Sequence, residues 1–291
     1  MLVVVTMWLR TYRWVYLLRP IAPVDTLPVV CIGFVGYAAI FFAPLRMGEL
    51  VRPYLLSSRQ PIGFTQATGT VVAERVIDGL LVSVVLLLGL VFSHPISPLP
   101  HHIGGAPVPV QAIPSAAYTA LAIFGGAFVA IALFYFARDL ARRLVHAIVD
   151  VVSTKLATFI TAQIERLADS LRFLASASHA GAYVRDTFLY WVASILAFWV
   201  ALRASGVDAS PAEACLCVGV IGLGSLIPSG PGMFGTYQLA SYAALAMFCP
   251  EDRVLSHGAV FVFLTYTVQL GFAFVSAGVG YALMQPSRRP S

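Results

Sequence analysis

Apolar runs long enough to cross a bilayer alternate with short polar stretches along this chain of 291 residues. A membrane-spanning helix needs about 20 mostly apolar residues. Four runs approach or exceed this length, and they cover residues 67–92, 116–137, 187–204 and 255–284. The pattern predicts an all-α, polytopic transmembrane helical bundle that forms a single membrane domain over residues 1–291.

Two further apolar regions, 20–45 and 212–249, do not fit single crossings. Basic residues concentrate in cytoplasmic loops, and the loop 93–115 contains neither Lys nor Arg. This loop is therefore predicted to be extracytoplasmic, whereas segment 138–186 and the C-terminus are predicted to be cytoplasmic. Arg13 and Arg19 precede the first region and Arg46 and Arg52 follow it, so both of its ends are expected in the cytoplasm. Each region is predicted to be a re-entrant helical hairpin; two full crossings remain the alternative for the second.

The two hairpins share a helix-breaking pattern. Residues 44–48 and 228–232 both read P-x-x-x-G after an apolar run. Pro and Gly interrupt helices and free backbone groups, which stay unpaired at membrane depth only beside protein or a water-filled cavity. Broken helices related by an inverted repeat recur in transporters. An inverted repeat whose breaks meet inside the bundle is one interpretation, and two ordinary turns are the other.

The most polar segment, 138–186, has a helical period. Its apolar residues recur every three to four positions, at Leu140, Leu144, Ile148 and Val151 and again at Ile164, Leu167 and Leu171. This spacing predicts one or two amphipathic helices along the membrane surface.

Composition excludes several functions. The chain is 59% hydrophobic and 11% charged, against about 25% charged in soluble domains. The net charge of +5 is explained by loop orientation, and no basic stripe with interleaved aromatics predicts a nucleic-acid partner. The four cysteines and the three loop histidines at 94–102 have no metal-ligand spacing. Neither a metal nor a cofactor is predicted, and no standard enzyme motif is present.

Charged residues interrupt the 67–92 span one turn after it begins. A charge in the middle of a bilayer costs at least about 2.5–3.5 kcal/mol, and Glu74 and Asp78 share one helix face. Together with Arg75, they allow two interpretations. One is a structural ion pair with Arg46 or Arg52, or a position near the interface. The other is a polar site for a lipid headgroup or a coupling proton.

Charged residues also follow the first break. Arg46, Glu49 and Arg52 recur every three residues and suit one helical face. Because guanidinium groups bind phosphate through two parallel hydrogen bonds, the two arginines predict a phosphate-binding site. Anchoring of a cytoplasmic loop is the alternative.

The second break offers backbone donors. Gly232 and Gly235 precede a new helix, whose N-terminus attracts anions, and Tyr237 and Gln238 lie one turn in. A simple helix start is the alternative. The complete set of predicted substrate-binding residues is Arg46, Glu49, Arg52, Glu74, Arg75, Asp78, Pro228, Gly232, Gly235, Tyr237 and Gln238, and no catalytic residue is predicted.

Three stretches resemble the signatures of a known family in the same order. They are PLRMGELVR at 44–52, ERVID at 74–78 and IPSGPGMFGTYQ at 227–238. The family is the lysylphosphatidylglycerol synthase transmembrane region, a flippase-like membrane domain, and the resemblance covers nearly the whole chain. It implies a helical bundle with re-entrant helices. In fused synthases this domain is thought to move aminoacylated phospholipid between leaflets, while stand-alone members have varied substrates, some linked to glycolipid or polyprenyl-phosphate pathways.

The chain departs from that family pattern at three points. No aminoacyl-transfer domain accompanies it, so the resemblance implies that it does not itself make lysyl lipid. By comparison with that pattern, the first helix is expected to be missing or shortened. Gln238 stands where the family pattern has Glu, which removes any carboxylate role at that position.

The expected function is therefore flippase-like translocation, or binding, of an anionic phospholipid or a polyprenyl-phosphate-linked intermediate. Membrane lipids are the expected partners, and the expected location is the bacterial cytoplasmic (inner) membrane. One alternative is a membrane-embedded lipid-phosphate transferase that would use Glu74 and Asp78. The other is a non-catalytic subunit of a lipid or glycolipid synthesis complex. Further partners compatible with the sequence are a second copy of the chain or a membrane enzyme.

Overall fold

The computed structural model describes residues 1–149, 176–227 and 229–284, with a few isolated positions between 153 and 165. At residues 44–46 and at several positions of 138–149 only the backbone is described. Pro228, the Arg46 side chain and most of the predicted amphipathic stripe beyond Leu140 therefore lie outside the described residues.

Helices make up most of the described chain, which confirms the predicted all-α, polytopic class. In chain order they are α1 (Leu2–Tyr12), α2 (Trp14–Leu18), α3 (Thr26–Phe42), α4 (Val51–Arg59), α5 (Phe64–Phe92), α6 (Ile113–Phe136), α7 (Arg138–Val149), α8 (Ala177–Ala204), α9 (Pro211–Gly224), α10 (Thr236–Leu245), α11 (Glu251–Arg253) and α12 (Ala259–Met284). Segments of 3-10 helix lie at Pro44–Leu50, Val110–Ala112 and Pro231–Met233, a π-helical turn at Val254–Gly258, and a short antiparallel hairpin pairs β1 (His102–Ile103) with β2 (Ala106–Pro107).

Four helical segments of the described chain are long and apolar enough to cross a membrane. They are Phe64–Phe92, Val110–Phe136, Ala177–Ala204 and Glu251–Met284. These correspond to the four spans predicted from sequence. Many large apolar side chains on these segments are exposed, among them Val91, Ile123, Val129, Phe188, Phe263 and Phe274. Exposed apolar faces of this kind suit contact with lipid.

One predicted boundary is wrong. Helix α8 begins at Ala177 rather than at residue 187, so the long helix includes the end of segment 138–186. The carboxylate of Asp186 in this helix is paired: Arg185 lies 2.8 Å from it, and the Tyr16 hydroxyl of α2 donates to it at 3.1 Å. Because this pairing satisfies the carboxylate, the helix continues through it.

The two remaining apolar helices are too short to span a bilayer alone. Helix α3 has 17 residues and α9 has 14. Each ends at a segment that is not α-helical. We call Pro44–Leu50 the first break and residues 229–235 the second break. The re-entrant course of these two regions, and an inverted repeat between them, stay predictions.

The loop 93–115 packs against one end of the bundle. The Ile96 N–H donates to the Met247 carbonyl at 2.7 Å, and the Gly104 N–H donates to Glu251 at the same distance. Ile103 and Val110 are buried in the apolar cluster that α5, α9 and α10 form. The loop therefore helps to hold these helices in place.

A second apolar cluster surrounds α2 at the other end of the bundle. Trp14, Leu17 and Leu18 are fully buried there, against Leu56 of α4 and Ala73 of α5. This packing brings the junction between α1 and α2 beside the charged turn of α5, which is the centre of the site described below.

Candidate functional site

The two breaks lie next to each other in the fold. The first break contacts the second, and the second also contacts the end of α3. Met233 and Tyr266 pack with Phe41 of α3 in a small apolar cluster. Residues far apart in the chain are thereby joined on one side of a cavity.

A buried group of charged side chains lies beside the first break. The Arg13 Nη2 donates to Asp78 Oδ2 at 2.5 Å and to Glu74 Oε1 at 3.4 Å, and the Arg52 Nη2 donates to Glu74 Oε2 at 3.0 Å. The side chains of Arg13 and Glu74 are fully buried. Arg75 lies 4.0 Å from Glu49 at a more open position. With neighbouring Arg10, the charge cluster comprises Arg10, Arg13, Glu49, Arg52, Glu74, Arg75 and Asp78.

The local sequence explains why the cluster forms. Glu74 and Asp78 are four residues apart, so α5 presents both carboxylates to the α1–α2 junction. A buried charge without a partner is strongly destabilising. The buried charge of Glu74 is compensated, because each of its carboxylate oxygens has an arginine partner. The first break turns the chain so that Arg52, at the start of α4, faces Glu74.

Aromatic rings enclose two of the arginines. The Arg52 guanidinium carbon lies 4.2 Å from the centroid of the Trp14 ring, and that of Arg13 lies 4.9 Å from the Tyr190 ring. Contacts of this kind stabilise a cation electrostatically, the more so when it is desolvated. The Trp14 indole N–H donates to the Thr70 hydroxyl at 3.0 Å, which fixes the ring.

The charge cluster borders a cavity of about 490 Å³. Its walls come from α1, α3, α5, α8, α9, α10, α12 and the second break. Arg10, Arg75 and Asp78 line it, whereas most of the rest of its lining is apolar. Val200, Leu264 and Val268 belong to the lining and are 52%, 40% and 42% exposed. The cavity therefore reaches the apolar outer surface of the bundle.

Neutral hydrogen bonds hold the second break. Gly232 and Gly235 have φ values of +76° and +87°, and Met233 between them has +53°. The Tyr266 hydroxyl donates to the Gly232 carbonyl at 3.0 Å, and the Gly235 N–H donates to Gln238 Oε1 at 2.7 Å. The Gly235 N–H, one of the predicted anion donors, is therefore already used by Gln238, while the predicted anion site at this helix start stays a prediction.

The predicted site residues fall into different positions. Arg75, Asp78 and Tyr237 line the large cavity, and the Tyr237 hydroxyl accepts a hydrogen bond from Gln269 at 3.0 Å. Arg52 and Glu74 lie behind the cavity wall and pair with each other. Glu49 joins the cluster through Arg75. Gly232, Gly235 and Gln238 shape the second break.

Sequence reasoning missed two arginines. Arg13 was assigned to a cytoplasmic flank, but its side chain is fully buried and pairs with both carboxylates of α5. Arg10 lines the cavity, and its guanidinium carbon lies 5.4 Å from the Tyr37 ring. The sequence feature that indicates both residues is their three-residue spacing. It puts Arg10, near the end of α1, and Arg13, directly after α1, on the same helical face.

The fold and this site define a class: an all-α, polytopic membrane protein with a paired charge cluster beside a cavity open to its apolar surface. The family model described as the lysylphosphatidylglycerol synthase TM region matches residues 1–273, so the chain belongs to this family. It is a membrane protein of a lipid-related family.

The chain also shows a weaker similarity to a named protein. The chain is 26% identical, over 232 residues, to a protein of Haloferax volcanii named glycosyltransferase AglD. The matched region is 75% of this chain but spans only 37% of that relative. No solved structure matches the chain significantly.

Proposed function

We propose that the protein binds an anionic lipid headgroup in its cavity and moves the headgroup across the membrane. The observation that carries the proposal is the cavity itself, which has arginines at one wall and an apolar opening at the bundle surface. A phosphate would be held by Arg75 and Arg10, while the acyl or polyprenyl tails stay in lipid.

Charge supports an anionic ligand. The cluster joins four arginines to three carboxyl groups. Since arginine stays protonated in proteins, at least one positive charge is left in excess. Guanidinium groups bind phosphate with two parallel hydrogen bonds. The cluster thus complements a phosphate and repels a free cation.

Size supports a headgroup rather than a whole lipid. Ligand cavities commonly measure about 300–1,000 Å³, and this one measures about 490 Å³. Its exposed apolar lining at Val200, Leu264 and Val268 suits the first part of a lipid tail. The paired residues Arg13, Glu74 and Arg52 would position Arg75 and Asp78 from behind.

The proposal also covers the membrane that holds the protein and the orientation of the protein in that membrane. We infer a location in the bacterial cytoplasmic membrane, with the C-terminus in the cytoplasm and the loop 93–115 outside, because basic residues gather in the predicted cytoplasmic segments. The two short helices α3 and α9 would enter from opposite sides. Their breaks would line the path of the headgroup.

The test measures transfer of a labelled anionic phospholipid between leaflets in vesicles containing the purified full chain. Arg75→Gln is expected to lower the transfer rate by about tenfold or more, because it removes charge-assisted hydrogen bonds. Arg203→Gln is the matched control, since its side chain is 56% exposed and pairs with exposed Asp208. Equal rates for both variants would exclude the proposed phosphate site.

Glycosyl transfer to a lipid is the second candidate, favoured by the similarity to a protein named a glycosyltransferase. Here the chain would present a lipid phosphate to a transferase, or catalyse the transfer itself with Asp78 as base. Product formation by the purified protein, abolished in Asp78→Asn, would favour catalysis. Stable co-purification with a transferase, without lipid movement by the chain alone, would favour a subunit role.

A further inference from the structure

Apart from Arg75 Nε, which lies 4.0 Å from Glu49, three polar atoms of cavity-lining residues are buried without a hydrogen-bond partner in the described part of the chain. They are Arg75 Nη2, Asp78 Oδ1 and the indole Nε1 of Trp191. Buried polar atoms in folded proteins nearly always have a partner, and leaving one unpaired is costly. Three such atoms around one cavity indicate that a ligand completes their hydrogen bonds.

A chain of neighbouring side chains connects the three residues at the charged side of the cavity. Arg75 and Asp78 share the charged turn of α5, and Asp78 is bonded to Arg13. The Arg13 guanidinium lies 4.9 Å from the Tyr190 ring, whose centroid lies 5.4 Å from that of Trp191. Two donors and one acceptor therefore belong to residues that this chain of contacts connects.

The chemistry of the acceptor decides the class of ligand. Asp78 already has Arg13 on its other oxygen, and arginines outnumber carboxyl groups in the cluster. An ammonium group would enter a region with excess positive charge, whereas a neutral hydroxyl can donate to Asp78 Oδ1 without this repulsion. Trp191 Nε1 is a donor only and suits a hydroxyl or phosphate oxygen.

We infer that the charged side of the cavity recognises a phosphodiester whose alcohol carries free hydroxyl groups. Arg75 would bind the phosphate, and Asp78 and Trp191 would bind the hydroxyls. The inference rests on the proposed headgroup site and adds a specificity subsite to it. Glycerol on a phospholipid and a sugar on a polyprenyl phosphate share this chemistry.

The experiment compares lipids of equal charge that differ in hydroxyl groups. The full chain in phosphatidylcholine nanodiscs is titrated with phosphatidylglycerol and with phosphatidylpropanol, and lipid retention is measured by native mass spectrometry. A second pair, a glucosyl polyprenyl phosphate and an ethyl polyprenyl phosphate, makes the same contrast on a polyprenyl tail. In at least one pair, the hydroxylated lipid is expected to bind with a dissociation constant lower by about tenfold or more. This ratio corresponds to one hydrogen bond to a charged group. The discriminated pair identifies the source of the headgroup.

Variants connect this preference to the named atoms. Trp191→Phe keeps an aromatic ring but removes the donor, and it should reduce the preference to within about threefold, as the loss of one neutral hydrogen bond predicts. Asp78→Asn should reduce it as well. Trp199→Phe is the matched control, because the Trp199 indole already donates to the Ala209 carbonyl at 2.8 Å and lies outside the cavity lining.

The outcomes separate this inference from the proposed function. Equal binding within both pairs, or tighter binding of phosphatidylethanolamine than of phosphatidylglycerol, overturns the hydroxyl subsite. If Arg75→Gln still weakens every anionic lipid in that case, the headgroup site stands and only the subsite fails. If Arg75→Gln weakens none of them, the proposed headgroup site itself fails.

Discussion

The two helix breaks share the pattern P-x-x-x-G but use their glycines for different reasons. At the first break, Gly48 lies so close to α3 that a Cβ atom would overlap the backbone of Ala39 and Ile40. At the second, Gly232 needs φ +76°, a conformation that other residues rarely adopt. One glycine permits close packing, and the other permits a turn.

The polar groups around the two breaks also differ, being charged at the first break and neutral at the second. The first break directs Arg52 towards Glu74 and so belongs to the charge cluster. The second break is held by neutral donors and acceptors from Tyr266 and Gln238. A repeated sequence pattern therefore reports a repeated backbone interruption, while the chemistry at each break comes from the helices packed around it. The predictions below test this contrast in order of decreasing effect.

The largest effect is expected when the charge cluster loses its central anion. Glu74→Gln keeps the volume but leaves the buried guanidinium groups of Arg13 and Arg52 without their shared carboxylate. Breaking a buried pair costs about 3–5 kcal/mol. Denaturant unfolding in detergent measures the change, with Asp208→Asn as control, since that carboxylate is 91% exposed. A loss no greater than the control's would show that the cluster does not stabilise the fold.

At the first break, Gly48→Ala should destabilise the protein through overpacking. The added methyl group meets backbone atoms of α3, which cannot move aside as a flexible side chain can. Inserting a methyl group into a packed site typically costs about 1–3 kcal/mol. The same unfolding assay checks it, and Gly126→Ala, on an open face of α6 with no atom within 4 Å, serves as control. Equal stability of the two variants would contradict the close approach.

At the second break, Gly232→Ala should cost about 1–2 kcal/mol, because the left-handed conformation is unfavourable for L-residues. Gly230 in the same segment provides the control: its φ is −67°, and a Cβ there meets no atom within 4 Å. Gly230→Ala should leave the unfolding midpoint nearly unchanged. If both variants unfold alike, backbone conformation is not what requires glycine at Gly232.

Local patterns in the sequence were sufficient to predict part of this site. The four-residue spacing of Glu74 and Asp78 put both carboxylates on one face, and α5 keeps them there. Arg52 is one of the two arginines that the sequence predicts as ion-pair partners here, and it is bonded to Glu74. The four long spans were also predicted, because length and hydropathy alone define them.

The parts of the site that sequence patterns did not predict depend on packing between helices that are far apart in the chain. Arginines next to aromatic residues look the same at a membrane interface as in a buried cluster, so Arg13 was assigned to a flank. Only the packing of α2 against α4 and α5 buries it. Trp191 and Tyr190 carried no local signal, since their role depends on α8 lying beside the charged turn of α5.

The smallest effect is expected at the neutral hydrogen bond of the second break. Tyr266→Phe removes the hydroxyl that donates to the Gly232 carbonyl and keeps the ring, which packs 5.6 Å from that of Tyr237. Hydrogen bonds within membrane proteins contribute about 0.6 kcal/mol on average and up to about 1.7 kcal/mol. The unfolding midpoint should therefore fall slightly, and less than for Gly232→Ala. Tyr281→Phe, whose residue is 60% exposed on α12, is the control. A loss of stability as large as that of Glu74→Gln would contradict the contrast between the two breaks. It would mean that the second break depends on this polar contact as strongly as the charge cluster depends on Glu74.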